Sequence, residues 1–250
     1  MVKIYAHRGA SGEYPENTMI AFKKAIELGA DGIETDVQMT KDGELVLIHD
    51  ETVNRTTNGK GLIKDYRYCE LEKLDAGSWL DERYRDAKIP RLEDLFELVK
   101  DSNVVINIEL KNNIIIYKNL EQKVIHMIEK YNMTNRVIIS SFNHYAIKKC
   151  IEINKNIETG LLYTTGLYKP EFYAEYVGSK NLHPYYYAVY NEQILKGIKA
   201  KGIKVNIFTV NNESDMEFFV KNNVDGIITN FPKKLKRIIK SFKTEMDKIL

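Results

Sequence analysis

The stretch Gly32-Ile33-Glu34-Thr35-Asp36-Val37 decides how the rest of the chain is read. It opens as a short strand-like run and carries two carboxylates on alternate residues. Side chains alternate faces along a strand, so Glu34 and Asp36 point the same way. Two carboxylates on one face repel, by about 4 kcal/mol at contact distance in an effective dielectric near 20. A cation turns that repulsion into a binding site, and hard cations such as Mg²⁺ and Ca²⁺ prefer oxygen ligands of this kind. Alone, the pair also reads as an exposed acidic strand end. The flanking segments decide between the two.

Upstream, residues 3–6 form a short apolar strand that stops at His7-Arg8-Gly9. Pro15-Glu16-Asn17-Thr18 opens a helix capped by Asn17 or Thr18, and Gly29 ends it. Downstream, Lys41-Asp42-Gly43 is a turn, and 44–48 is a strand that stops at His49-Asp50. Residues 51–89 break the rhythm with the polar loop Arg55-Thr56-Thr57-Asn58-Gly59-Lys60-Gly61 and the only tryptophan, Trp79. They read as an insertion, irregular or with short helices, inside a single domain spanning 1–250.

After Pro90 the pattern becomes regular. Helices are expected over 92–99, 120–131, 144–153, 170–176, 191–201 and 214–222, with a last helix starting at Pro232. Strands are expected over 104–110, 136–140, 158–163, 178–182, 204–210 and 225–229. About eight strand–helix units with long crossovers predict an α/β fold, a (β/α)₈ TIM barrel, rather than a doubly wound sheet. No GxGxxG or P-loop follows any strand, which argues against a nucleotide-binding fold.

Composition sets outer bounds. The 250 residues are 44% hydrophobic, enough for a real core, and the net charge of +2 gives no broad nucleic-acid footprint. Cys69 and Cys150 suggest neither a disulfide framework nor a zinc site, so a cytoplasmic protein with reduced thiols is expected. The N-terminal residues show no apolar signal-peptide core, and no run approaches the roughly 20 apolar residues of a spanning helix. Stable membrane insertion is therefore not expected. The sequence leaves the oligomeric state open.

The polar residues are not scattered. Apolar strand runs end in turn at His7-Arg8, Glu34/Asp36, His49-Asp50, Glu109/Lys111 and His183. In a barrel every strand tip opens on one face, and that face carries the active site. Glu34, Asp36 and Glu109 are three hard oxygen ligands suited to one divalent cation, Mg²⁺ or Ca²⁺. Lys111 shares the face of Glu109 and is placed to hold an anion beside the metal, while Arg8 offers a fork that matches phosphate. His7 and His49 can exchange protons near neutral pH. Together these groups describe a site for cleaving a phosphate ester.

At this point the chain resembles the bacterial glycerophosphodiester phosphodiesterases. The matching pieces are His-Arg-Gly at 7–9, Pro-Glu-Asn-Thr at 15–18, Glu-Thr-Asp-Val at 34–37, and Asp42-Gly43 leading into Val46-Leu47-Ile48-His49-Asp50. They continue with the loop at 55–61, Pro-Arg-Leu-Glu-Asp-Leu at 90–95, Glu-Leu-Lys at 109–111 and Asp-Gly-Ile-Ile-Thr-Asn-Phe-Pro at 225–232. The resemblance implies a barrel with a small insertion near 51–89 and a divalent metal on Glu34, Asp36 and Glu109. It implies His7 and His49 as the acid–base pair, with Arg8 and Lys111 on the phosphate. The implied reaction is hydrolysis of a small-molecule glycerophosphodiester to sn-glycerol 3-phosphate and an alcohol. Two positions depart from the family's commonest pattern. Phe208 stands where Trp is frequent, keeping an aromatic wall to the substrate pocket without an indole N–H. Asn230 stands where Asp is common.

Two other functions compete. One is a related barrel phospholipase acting on intact lipid, disfavoured because no long apolar approach to the site stands out. The other is a non-catalytic phosphodiester-binding module, which would need no paired proton shuttles. His183 is read as structural or as a substrate contact rather than a metal ligand, and His126 and His144 as surface or packing residues. The Tyr185-Tyr186-Tyr187 run is read as loop packing. Finally, Leu235, Ile238, Ile239, Phe242 and Met246 recur at helical spacing on a strongly basic segment. This is either a helix lying on anionic membrane or the last barrel helix, and a barrel needs its eighth helix.

Overall fold

The structure, a computed structural model, describes residues 2–249, with side chains through Thr244. Nine strands form one sheet: β1 (Lys3–His7), β2 (Gly32–Met39), β3 (Leu45–Leu47), β4 (Val105–Leu110), β5 (Val137–Ser141), β6 (Glu158–Tyr163), β7 (Asn181–Pro184), β8 (Lys204–Ile207) and β9 (Gly226–Thr229). All but β3 are parallel, and β1 pairs with both β9 and β2, which closes the ring as a (β/α)₈ barrel. The helices are α1 (Met19–Glu27), the single turn α2 (Tyr68–Leu71), α3 (Leu92–Val99), α4 (Leu120–Lys130), α5 (His144–Ile153), α6 (Pro170–Val177), α7 (Glu192–Ala200), α8 (Glu213–Lys221) and α9 (Pro232–Ile249). The main core lies between the ring and its helices. Ile4, Ala6, Ile33, Ile106, Ile108, Ile139 and Ile227 face outward into it against Phe22, Phe96, Val124, Ile147 and Phe219. Alternation then sends His7, Glu34, Asp36 and Glu109 inward.

One expected barrel unit takes another role. The 44–48 run is a strand, but β3 is antiparallel to β2 and lies outside the ring. The cause is the length of β2. Its first residues, Gly32, Ile33 and Glu34, pair with β1, while Val37, Gln38 and Met39 run past the tip of β1 and pair with β3. His49 therefore reaches the mouth by a hairpin that turns back toward it. Two further strands differ in extent. β7 lies later than 178–182 because Gly178, at φ 91°, caps α6. β8 ends at Ile207 rather than at Val210.

Between β3 and α3 the chain forms a small lobe with its own core of Val46, Ile48, Val53, Ile63, Leu71, Ala76 and Ile89. Its two ends are adjacent: Leu47 N–H donates to Pro90 O at 2.9 Å, and Val46 bridges Arg91. At the other terminus α9 buries Leu235 and Ile238, with Ile239 and Phe242 packed beside them on the main core. The apolar stripe is thus committed to the barrel. The side chain of Met246 lies outside the described residues. No helix among the described residues is long and apolar enough to cross a membrane.

Candidate active site

The parallel register places Asp36 beside Glu109, and Glu34 one inward position below Asp36. All three carboxylates are buried, and one oxygen of each lies within 4.8 Å of the others. Burial pushes Glu34 well above the usual carboxylate range, reinforced by Asp36 and Glu109. Glu109 is also raised, by burial and then by Asp36. Burial opposes charge on Asp36 too, but Arg8, His49 and Lys111 overcome it and hold the group down to about 2. Lys111 is buried, with Nζ 2.9 Å from Glu109 Oε1 and 3.9 Å from Asp36 Oδ1. Asp36 Oδ1 is buried without a hydrogen-bond partner among the described residues. A clustered set of hard oxygens with one orphaned lone-pair donor fits a divalent cation.

The loop after β1 supplies the next groups. Arg8 and Gly9 both have positive φ, at 54° and 82°. For arginine that conformation costs on the order of 1–3 kcal/mol and is sustained by its partners. Its N–H donates to Glu34 Oε2 at 3.0 Å, Nη1 donates to Glu16 at 2.8 Å, and Nε lies 3.3 Å from Asp36 Oδ2. Gly9 has no room for a side chain, since a Cβ there would lie 2.7 Å from the backbone of Ala21. Pro15-Glu16-Asn17-Thr18 does more than open α1. Thr18 is the cap, accepting from Ala21 N–H at 3.4 Å. Asn17 instead turns inward, donating from Nδ2 to Asp36 Oδ2 at 2.8 Å while its Oδ1 accepts from Thr35 Oγ1 at 2.7 Å.

Both histidines are oriented by a neighbour. His7 Nδ1 donates to Asn230 Oδ1 at 2.6 Å, because an amide oxygen can only accept. Nε2 is then the unprotonated nitrogen, 4.0 Å from Glu34 Oε2. Burial, with Arg8, lowers the imidazole pKa to about 4, so His7 is neutral at pH 7. His49 Nδ1 donates to Asp50 Oδ1 at 2.7 Å. Arg55 holds Asp50 in turn and spans to Glu16 with two further hydrogen bonds of 2.8 Å. Gln38, on the overrunning part of β2, clasps the same turn by donating to His49 O and Asp50 O at 3.1 and 2.5 Å. Glu16 thereby joins Arg8 on the barrel to Arg55 on the lobe.

The remaining candidates sit elsewhere on the rim or below it. Phe208, half-buried, lies edge-on to Phe142 with ring centroids 5.9 Å apart and contacts Tyr185 at the same distance. His183 does not reach the mouth. It is fully buried, its Nε2 is 3.0 Å from Asn206 Nδ2, and burial lowers its pKa to about 3. Its ring covers Gly160, where a Cβ would fall 2.5 Å from Nε2. That geometry is structural. Cys150 is buried and its thiol is pushed up to about 12, far from a nucleophilic thiolate. Reading the sequence assigned no site role to Glu16, Asn17, Gln38, Asp50 or Arg55. The one available signal was that Glu16, Asn17, Asp50 and Arg55 lie inside the short motifs.

A barrel whose mouth gathers three carboxylates, two oriented histidines, an arginine and a lysine has groups that fit phosphoester hydrolysis, with a triad compatible with a divalent cation. Comparison with known proteins narrows the class. Residues 7–234 match the glycerophosphoryl diester phosphodiesterase family. The glycerophosphodiester phosphodiesterase of Caldanaerobacter subterraneus subsp. tengcongensis is 47% identical over 237 residues, 95% of this chain and 97% of that protein. The Bacillus altitudinis enzyme of the same name is 43% identical over 245 residues, 97% and 100% of the two chains. A phosphodiesterase from Oleispira antarctica, solved in complex with its product sn-glycerol-3-phosphate, superposes with a TM-score of 0.87 at 29% identity, covering 95% and 96%. The chain belongs to the glycerophosphoryl diester phosphodiesterase family.

Proposed function

We propose that the chain hydrolyses water-soluble glycerophosphodiesters to sn-glycerol 3-phosphate and an alcohol, with one divalent cation, Mg²⁺ or Ca²⁺, held by Glu34, Asp36 and Glu109. The observation that carries this reading is the meeting of that carboxylate triad with the free Nε2 of His7, 4.0 Å from a triad oxygen. The bound cation supplies Lewis-acid stabilisation of charge on the phosphoryl oxygens. Arg8 and Lys111 add positive charge beside it. Phe208 walls the substrate on the opposite side.

His7 is the base. Its Nε2 takes the proton of the glycerol hydroxyl next to the ester, and that oxygen bonds to phosphorus through a five-membered ring. The bond from phosphorus to the alcohol oxygen breaks, and His49 Nε2 supplies the proton that oxygen needs. Water then opens the ring with the two roles reversed. The free cysteines and the absence of a spanning helix among the described residues are compatible with work in the cytoplasm.

The test is a product assay across glycerophosphodiesters with Mg²⁺, Ca²⁺ or Mn²⁺ added in turn. Turnover of glycerophosphocholine that stops after chelation and returns with metal is expected. Full activity after exhaustive chelation would remove the metal from the scheme, and no turnover of any diester would remove the function. A 2-deoxy analogue cleaved at the normal rate would exclude the cyclic route.

A further inference from the structure

The loops at the tips of β4, β5, β6 and β7, residues 111–119, 142–143, 164–169 and 185–191, form one continuous arc of the mouth. Not one of them contains an aspartate or glutamate, and they carry Lys111, Lys118 and Lys169. On the arc, or in the first turn of the helix that follows, stand apolar side chains turned to solvent. Ile114 and Ile116 are 70% and 81% exposed, and Tyr145 and Tyr168 are each 90% exposed. Tyr187 and Phe172 are exposed as well. Soluble domains scatter single exposed hydrophobics, but a contiguous set at one end marks a surface that meets something. Reading the sequence found no apolar approach to the site, because Ile114-Ile115-Ile116 gives no sign of which side chains turn outward.

We infer that this arc seats the protein on an anionic lipid surface, with the mouth of the barrel facing the bilayer. Three observations select lipid over another occupant. The aromatic residues are mostly tyrosines, which have an apolar body and a polar tip and settle at headgroup depth. The loops themselves carry charge of one sign: Lys118 and Lys169 are exposed, Lys169 lies 5.5 Å from the ring of Tyr168, and of the acids in the first turns of α4, α6 and α7, Glu121 and Glu171 are buried and Glu192 alone is exposed. Anionic lipid attracts such lysines. The patch also continues down the wall as a groove of about 480 Å³ between α5 and α6, lined by His144, Tyr145, Lys148, Tyr173, Tyr176 and Val177, again without an acid. The docking is peripheral, since no helix among the described residues can cross a bilayer. It also differs from the membrane role considered for the basic C-terminal segment, whose apolar stripe is buried on the barrel.

The experiment is cosedimentation of the full chain with vesicles of phosphatidylcholine alone or mixed with phosphatidylglycerol, at low and high salt, alongside turnover of glycerophosphocholine in solution. The wild-type chain is expected to pellet with the mixed vesicles and to be released by salt. The variant Ile114→Ser/Ile116→Ser/Tyr145→Ser/Tyr168→Ser should lose at least about tenfold in bound-to-free ratio. Lys118→Glu/Lys169→Glu should lose binding to the mixed vesicles in the same way. Soluble turnover should stay at the wild-type value in both, which shows that they fold. A wild-type chain that stays in the supernatant with every vesicle overturns the inference, as does a fourfold variant that pellets like wild type. So does a wild-type dimer in light scattering that the fourfold variant abolishes without any lipid binding, which would assign the arc to a second copy. Vesicle binding is read without catalysis, so this outcome and that of the diester assay are independent.

Discussion

From β1 through β4 the mouth of the barrel is densely charged and cross-linked, whereas from β5 through β8 it is mainly aromatic, with Lys169 the one charged residue on its loops. The first half holds His7, Arg8, Glu34, Asp36, Glu109 and Lys111, and the lobe adds His49, Asp50 and Arg55. There the charged groups are linked in a chain running from Asp36 through Arg8 and Glu16 to Arg55 and Asp50. The second half presents Phe142, Tyr185 and Phe208, with no comparable network among the described residues. The difference separates two tasks. Holding charge in fixed geometry requires preorganised partners, while admitting varied alcohols requires only a wall.

The sharpest way to break this division is at the histidines. His7→Ala and His49→Ala are each expected to lower kcat by about 10²–10⁴-fold while cation binding, read by calorimetry, persists. Near wild-type kcat in either would remove that residue from proton transfer. Next comes Asn17, which touches no substrate in the scheme but orients Asp36. Asn17→Ala should weaken cation affinity by roughly 10–100-fold, the usual loss for a partner of a metal-ligating carboxylate. An unchanged affinity would show that Arg8 alone positions Asp36.

Asn230→Asp tests the tautomer of His7. A carboxylate in place of the neutral amide favours the imidazolium, so the pKa of His7 rises from about 4. The base must be unprotonated, so the acid limb of the kcat/KM profile should move to higher pH. A fixed acid limb would mean that His7 is not the base. On the aromatic half the effects shrink: Phe208→Leu should raise KM for glycerophosphocholine a few-fold with kcat unchanged, as loss of uniform binding does. A fall in kcat instead would move Phe208 into the charged half's task.

The smallest effect is thermal. Burial and mutual repulsion keep Glu34 and Glu109 protonated in the fold at pH values where the unfolded chain has released those protons. Their contribution to stability is therefore complete below a pH of about 4.5 and is lost as pH rises toward their folded-state values. The melting temperature of the chelated protein should fall over that rise, and the gap to the Ca²⁺-loaded protein should widen, by about 2–4 °C for each kcal/mol. Parallel melting curves across pH would show that the carboxylates are ionised before the cation arrives.

The barrel was legible because strands such as β4, β5 and β9 are β-branched runs cut short by polar residues, and because α3 and α5 are amphipathic. The carboxylates and histidines were legible for the same reason, as they interrupt those runs. What escaped the sequence was pairing across distance. Nothing local marks Arg55 as the partner of Glu16, 39 residues away, or Gln38 as the clasp on the His49 turn. Likewise, β3 has the alternation of a barrel strand, and only the overrun of β2 determines that it folds back outside the ring.

That hairpin has a consequence for how such a chain can change over generations. The segment between Leu47 and Pro90 leaves the barrel and rejoins it at neighbouring backbone atoms, so the distance between its ends is fixed whatever lies between. Closing a longer excursion costs only about 0.6 kcal/mol per doubling of its length. Closure therefore sets little limit on the length of the lobe beyond Arg55, provided that Ile63, Leu71 and Ile89 still cover Val46 and Ile48 beneath the His49 turn. His49, Asp50 and Arg55 precede that portion, so added length there leaves the spacing from β3 to these three groups unchanged.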